Sequence, residues 1–235
     1  MGRIFEKRKH KMFARFARMS KAFNRIGREI EIAVKAGTAE PKLNPRLRMA
    51  IQNARSVNMP KDRIEAAIKR ASSKDTAGYQ EIFYEGYGPH GIAILVECAT
   101  DNPTRTVANI RVAFSRHQGT LGSSGSIAFM FERKGVFRVA TSKIPNLDDF
   151  ELEMIDHGLE DLVHQEEDVF VYTSFQDFGK MAKALEEKGI EATTELQYIP
   201  TSTKELSEAE AKEVQELIDK IEEDDDALSV FHTMQ

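Results

Sequence analysis

The sequence predicts an α+β fold, with an N-terminal three-helix bundle followed by two ferredoxin-like α/β domains, one inserted in the other. Three observations lead there. Apolar residues keep the three-four spacing of amphipathic helices through residue 72. Beyond the linker-like SSKDTAG at 72–78 the pattern changes to short runs rich in Val, Ile and Phe, the habit of strands. The charge changes at the same place. Residues 1–78 hold 20 Lys and Arg against 7 Asp and Glu, a balance of +13; the remainder holds 13 against 31, or −18, which together give the formal −5 of the whole chain.

The elements follow in order. Phe16, Met19, Phe23, Ile26, Ile30 and Ala33 lie on one helical stripe, so a first helix is expected from about Lys11 to Lys35, stopped by Gly37. Asn44 before Pro45 reads as an N-cap and first helical residue, and Leu47, Ala50, Ile51, Ala54 and Val57 give a second helix. Pro60 opens a third, with Ile64, Ala67, Ile68 and Ala71 inward. Strands are expected at Glu81–Glu85 and Ile92–Thr100, a helix at Thr104–His117 and a strand at Ser126–Glu132, in the order ββαβ. A βαββαβ unit follows, with strand Gly135–Ala140, helix Leu147–His157 and strands near Leu162–Gln165 and Val169–Thr173. Ser174 with Asp177 suggests a capping box for a helix at Phe175–Lys188, which Gly189 stops before strand Ile190–Ile199. Ser207 with Glu210 caps a last helix, and Leu228–His232 is a closing strand that returns to complete the ββαβ sheet. The domains are therefore expected at 1–78, at 79–133 plus 200–235, and at 134–199 as the insertion.

Composition and motifs exclude more than they assign. At 235 residues, 41% hydrophobic and 30% charged, the chain reads as a globular protein. Its longest apolar run, Ile92–Val96, is far short of a membrane span. The charged start lacks a secretory core, and a single cysteine, Cys98, fits a reducing cytoplasm. EGYGPHG at 85–91 matches the glycine spacing of a dinucleotide loop, but a strand follows where that motif needs a helix, so a hairpin connection is expected and no cofactor. Cys98 sits in an apolar strand as a core residue rather than a nucleophile. His157 and His164 fit no zinc spacing, and EEDDD at 222–226 reads as a solvated acidic loop without the pattern of a calcium site, so no metal is expected. GSSGS is neither a nucleophile elbow nor a P-loop, and no catalytic residues are assigned.

What remains is positive charge on helices. Lys11, Arg15, Arg18 and Arg25 run as a stripe beside the apolar seam of the first helix, widened by Lys21 and Arg28 and extended by Arg8, Lys9 and, on the second helix, by Arg46, Arg48 and Arg55. Acidic partners are nearly absent between Lys7 and Arg28, so these cations repel one another until a polyanion neutralises them. Arg predominates, and its planar fork suits phosphate. The expected partner is nucleic acid, either DNA or structured ribosomal RNA. A second candidate surface lies in the loops GYGPHG, DNPTRT and LGSSGS, with Tyr87, His90 and Arg105.

The blocks NPRLRMAIQNARSVNMPKDRIEAAIKRAS, YEGYGPHGIAILVECATDNPTRTVANIRVAFSRHQGTLGSSGSIAFMFERKGVF, IPTSTKEL and IEEDDDALSVFHTM resemble the YebC/PmpR family. The resemblance spans most of the chain. It implies a three-domain protein, a non-enzymatic DNA-binding transcriptional regulator, with mitochondrial relatives that activate translation and bacterial ones that resemble ribosome-associated factors easing stalled synthesis. It carries over no catalytic residues. The opening MGRIFEKRKHKMFARFARMSKAF keeps the basic character of the family's start without the AGHSKW letters of many members, and His90 stands where many have Gly. The leading expectation is thus a DNA-binding regulator acting in the cytoplasm. A ribosome-associated translation factor is the alternative, and a protein-interaction module docking the basic bundle on an acidic surface is a further one; the transcription machinery or the ribosome would be the larger partner.

Overall fold

The computed structural model describes residues 3–73 and 78–235, the side chains of residues 3–18 excepted. Helix α1 (Arg3–Ala36) is 34 residues long, on the order of 50 Å at 1.5 Å per residue, and α2 (Pro45–Ser56) and α3 (Lys61–Ser72) fold back along its second half. Ile26, Ile30, Ala33 and Val34 of α1 form one core with Leu47, Ala50, Ala54, Met59, Ile64, Ala67 and Ala71. Asn44 ties the corner. Its Oδ1 accepts from the Leu47 N–H at 3.1 Å, while its Nδ2 donates to the carbonyls of Ala33 and Thr38 at 2.7 and 2.8 Å. Gly37 leaves the room this needs, since a Cβ there would lie 2.9 Å from Asn44 Nδ2.

The first sheet contains β1 (Gln80–Tyr87), β2 (Ala93–Thr100), β3 (Thr120–Leu121) and β8 (Ala227–His232), in the order β3-β1-β2-β8 with every neighbour antiparallel. One face packs on α4 (Pro103–Arg116) and α7 (Glu208–Glu222), where Ile94, Val96 and Cys98 meet Ile110, Phe114, Val214, Leu217 and Ile221. The other face, with Ala93 and Leu95, packs against Ile127, Phe131, Tyr198 and Phe231. Burial on both sides explains why IAILVECAT is nearly continuous in apolar residues. As the sequence predicts, the last helix and strand return to this sheet, and Ser207 with Glu210 forms the capping box of α7.

The second sheet lies wholly between β3 and α7 in sequence. It consists of β4 (Phe131–Ala140), β5 (Leu159–Gln165), β6 (Asp168–Ser174) and β7 (Thr193–Pro200), ordered β5-β6-β4-β7, with α5 (Leu147–Ile155) and α6 (Phe178–Glu187) filling one face around Phe137, Val139, Met154, Val171, Met181 and Leu185. This is the strand order of a ferredoxin-like βαββαβ unit.

Two local expectations are corrected. Ser126–Glu132 is not a strand of the first sheet. Residues 128–130 form a 3₁₀ turn, the short β3 takes the sheet position, and β4 runs unbroken from Phe131 to Ala140. The cause is Glu85, whose carboxylate accepts the N–H groups of Gly125, Ile127 and Ala128 at 2.6, 2.8 and 2.9 Å and so removes them from any ladder. Helix α6 also starts later than expected. Ser174 and Asp177 do pair, at 3.0 Å, but within a turn before the helix, and Phe175 stays outside against the Arg133 guanidinium, 4.2 Å from its ring centre.

Candidate nucleic-acid interface

The bundle's basic residues fall into three groups. Arg8, Lys9, Lys11, Arg15 and Arg18 stand on the first half of α1, and their side chains lie outside the described residues. Lys21, Arg25 and Arg28 continue the stripe at three-four spacing on the half of α1 that meets the sheets. Arg46, Arg48 and Arg55 stand on α2.

The second group is internally matched. Lys21 Nζ donates to the Glu222 carbonyl at 3.4 Å. Arg25 Nε pairs with Glu29 at 3.1 Å, one turn along the same helix. Arg28, only 15% exposed in its side chain, reaches Asp226 Oδ1 at 3.3 Å, donates to the carbonyls of Asp225 and Ala99, and lies 5.2 Å from the centre of the Tyr79 ring. On α2, Arg46 pairs with Glu81 of β1. Arg48 and Arg55 are exposed, and among the described residues neither has a carboxylate within ion-pair distance.

Asp226 is the hub of these contacts. It is 3% exposed, and its Oδ2 accepts from Arg105 and Thr106, both at 2.7 Å, and from Thr100 at 3.2 Å. Burial alone would push its carboxyl up, but the hydrogen bonds from Arg105 and Thr106 and the charges of Arg105 and Arg28 hold it below the usual range. The expectation of a solvated EEDDD loop is therefore corrected at its last residue, because the run meets guanidinium groups from two other elements. A cavity of about 580 Å³ opens beside it, lined by Arg28, Tyr79, Arg105, Asn109 and Asp224.

A second cavity, of about 380 Å³, separates α1 and α2 from the first sheet and β7. Charged side chains line it, among them Arg25, Glu29, Arg46, Glu81, Glu97 and Glu195. Burial pushes the carboxyls of Glu29 and Glu97 up, for Glu97 with the added repulsion of Glu81, and Arg25 opposes the shift at both. Across this cleft the bundle touches the second sheet through Gln52 Nε2, which donates to the Ala192 carbonyl at 2.7 Å, and through Asn53, which bonds both the carbonyl and the N–H of Thr194 at 2.7 and 3.1 Å.

The three loop residues are not brought together as one surface. Tyr87 is 42% exposed at the end of β1. His90, in the left-handed region at φ 59°, sits between Glu210 and Glu213 of α7 at 3.5 and 2.9 Å and accepts from Lys204 Nζ at its carbonyl. Arg105 is held by Asp101 and Asp226 at 2.9 and 2.7 Å. The LGSSGS loop is fastened from beneath by Glu85. Burial would raise that carboxyl, yet the N–H groups of Gly125, Ile127, Ala128 and Ser126 outweigh burial and hold it low. Cys98 is fully buried, and burial followed by the nearby Asp224 and Asp226 pushes its thiol up, away from nucleophilic character. Among the described residues no cluster of three or more His, Cys, Asp or Glu side chains is placed to hold a metal ion, and no helix is long and apolar enough to cross a membrane.

Sequence reasoning missed Asp226, Glu85 and the Asn53–Thr194 clasp. Glu85 stands at the head of EGYGPHG, and its signal in the sequence is a lone acid between Tyr84 and Gly86.

Comparison with known proteins gives a consistent set of matches. Residues 3–74 match the model of the TACO1/YebC protein N-terminal domain, and residues 79–234 that of the TACO1/YebC second and third domain. A relative from Cytophaga hutchinsonii is 52% identical over all of this chain and 98% of its own length, and one from Flavobacterium johnsoniae is 50% identical over all of this chain and 99% of its own; both are named "Probable transcriptional regulatory protein". A crystal structure of a conserved hypothetical protein from Aquifex aeolicus superimposes with a TM-score of 0.84 at 35% identity, covering 92% of this chain and 90% of that one.

Proposed function

The chain belongs to the TACO1/YebC family, and from that membership we propose that it is a non-enzymatic regulator of gene expression that binds nucleic acid, DNA in the first instance, through the phosphate contacts of its basic bundle. The observation that carries this reading is the balance of +13 on residues 1–78, opposite −18 on the rest. A polyanion is the partner that relieves such repulsion. The names of the relatives, probable transcriptional regulatory proteins, support a regulatory role and favour DNA over RNA as the first target to test. Phosphate contact supplies affinity without reading sequence, so this surface acts as a general grip.

The test is fluorescence anisotropy of a labelled DNA duplex, with structured ribosomal RNA and whole ribosomes as competitors. Replacing Arg8, Lys9, Lys11, Arg15 and Arg18 together by Ala is expected to weaken binding by on the order of a hundredfold at low salt, and log affinity should fall with log salt by ~0.9 for each duplex phosphate contacted. Unchanged affinity in that variant, with its circular dichroism intact, would reject the site. Competition by ribosomes at far lower concentration than by DNA would transfer the reading to a ribosome-associated factor.

A further inference from the structure

We propose that the acidic part of the chain is a built-in competitor for the polyanion: Asp226, Glu81 and the Glu222 carbonyl hold Arg28, Arg46 and Lys21, and nucleic acid takes these cations over as the bundle parts from the sheets. This rests on the reading that the bundle binds phosphate, and it names how that site is regulated.

Four features support separation at this seam. The apolar contact holding the bundle to the sheets is small, chiefly Ile32 against Ala99 and Leu228 with Tyr79, whereas the bundle and each sheet have larger cores of their own. An interface of that kind permits relative motion. The other contacts there are polar and exchangeable with water or phosphate: the bonds of Gln52 to Ala192 and of Asn53 to Thr194, the exposed Arg46–Glu81 pair, and the three polar contacts of Arg28.

Release leaves no charge on the body both buried and alone. When Arg28 leaves Asp226 Oδ1, Oδ2 still has Arg105, Thr106 and Thr100. Removing one partner of a buried pair is costly only when the other charge is left alone, and here it is not. Glu81, 30% exposed in its side chain, returns to water.

The closed seam also carries a cost that opening relieves. Glu29 and Glu97 lie in the cleft between bundle and sheets with carboxyls pushed up by burial. Arg25 travels with Glu29 on α1, so that pair survives the motion intact.

The experiment compares Glu81→Gln, Asp226→Asn and Glu205→Gln in the full chain, using the labelled duplex. Glu205 is exposed and outside the seam, so its variant changes net charge equally and corrects for that alone. Glu81→Gln is expected to bind about threefold tighter than Glu205→Gln, the scale of one exposed pair. Asp226→Asn should bind about tenfold tighter, and if it unfolds, the Glu81→Gln arm stands by itself. The second readout is amide exchange at Thr194, whose N–H is held by Asn53 across the seam. Saturating duplex should speed its exchange while amides inside β4 and β6 keep their protection. Affinities of Glu81→Gln no tighter than that of Glu205→Gln, or a Thr194 amide that is unaffected or slowed by DNA, overturn the competition. If wild type binds and the five-residue Ala variant does not, those results sink the competition alone; if no form of the chain binds DNA or RNA, the phosphate-grip reading falls with it.

Discussion

At the scale of single residues, buried carboxylates do the organising. Glu85, 4% exposed, takes the N–H groups of Gly125, Ile127 and Ala128 and so fixes a loop that composition alone would leave to chance. Glu85→Gln exchanges one accepting oxygen for a donor facing those N–H groups and is expected to cost roughly 2 kcal/mol near pH 7, read from the urea midpoint. The pH dependence has a definite sign. The folded carboxyl is held below its unfolded value of about 4.3, so the contribution is complete above that pH and is lost as pH falls through the folded pKa. The gap between wild type and Glu85→Gln should therefore shrink in acid; a gap that widens there would show that Glu85 holds the loop as a neutral acid. Little of this was legible in the sequence. Arg28 and Asp226 are 198 positions apart, and no local pattern says that one cation of a stripe turns inward while Arg48 stays in water. Cys98 was legible, because a small apolar strand residue has few other places to go.

At the scale of elements the sequence is more informative, because helix period, caps and stops act over a few residues. The Asn44-Pro45 start, the Ser207–Glu210 box and the Gly37 stop all stand where their chemistry puts them. What local reasoning could not see was tertiary capture: Ser126–Glu132 has a strand's composition, but Ile127 and Ala128 are claimed by a carboxylate 42 and 43 residues away, and only Phe131 and Glu132 pair with β7. Asn44 is the opposite case, a cap whose sequence signal understates its work. Besides capping α2 it binds two carbonyls at the end of α1, at 6% exposure. Asn44→Ala strands those groups and leaves the cap open, so unfolding free energy should fall by about 2–3 kcal/mol with the urea slope unchanged. A loss of only a few tenths would mean that water replaces the side chain, and that Gly37 is small for some reason other than Asn44.

For the whole molecule, the division into a basic bundle and an acidic remainder is the largest fact, and the folded chain partly cancels it against itself. How that cancellation is undone on binding can be read from the salt dependence. A cation that reaches phosphate releases a counterion condensed on the duplex, and log affinity then falls by ~0.9 per contact with log salt. Arg46 moves from Glu81 to phosphate, and the duplex still gives up its counterion, because a lone exposed carboxylate condenses none. Arg46 therefore counts in the wild-type slope, and Glu81→Gln, which only removes the competitor, should raise the line without changing its slope. Arg48, with no carboxylate to leave among the described residues, also counts in wild type, and Arg48→Ala should flatten the slope by ~0.9 if it touches phosphate. One variant thus moves the height of the line and the other its slope. A Glu81→Gln line steeper than wild type by ~0.9 would show that Arg46 stays with Glu81 in the wild-type complex and changes partners only when that carboxylate is removed.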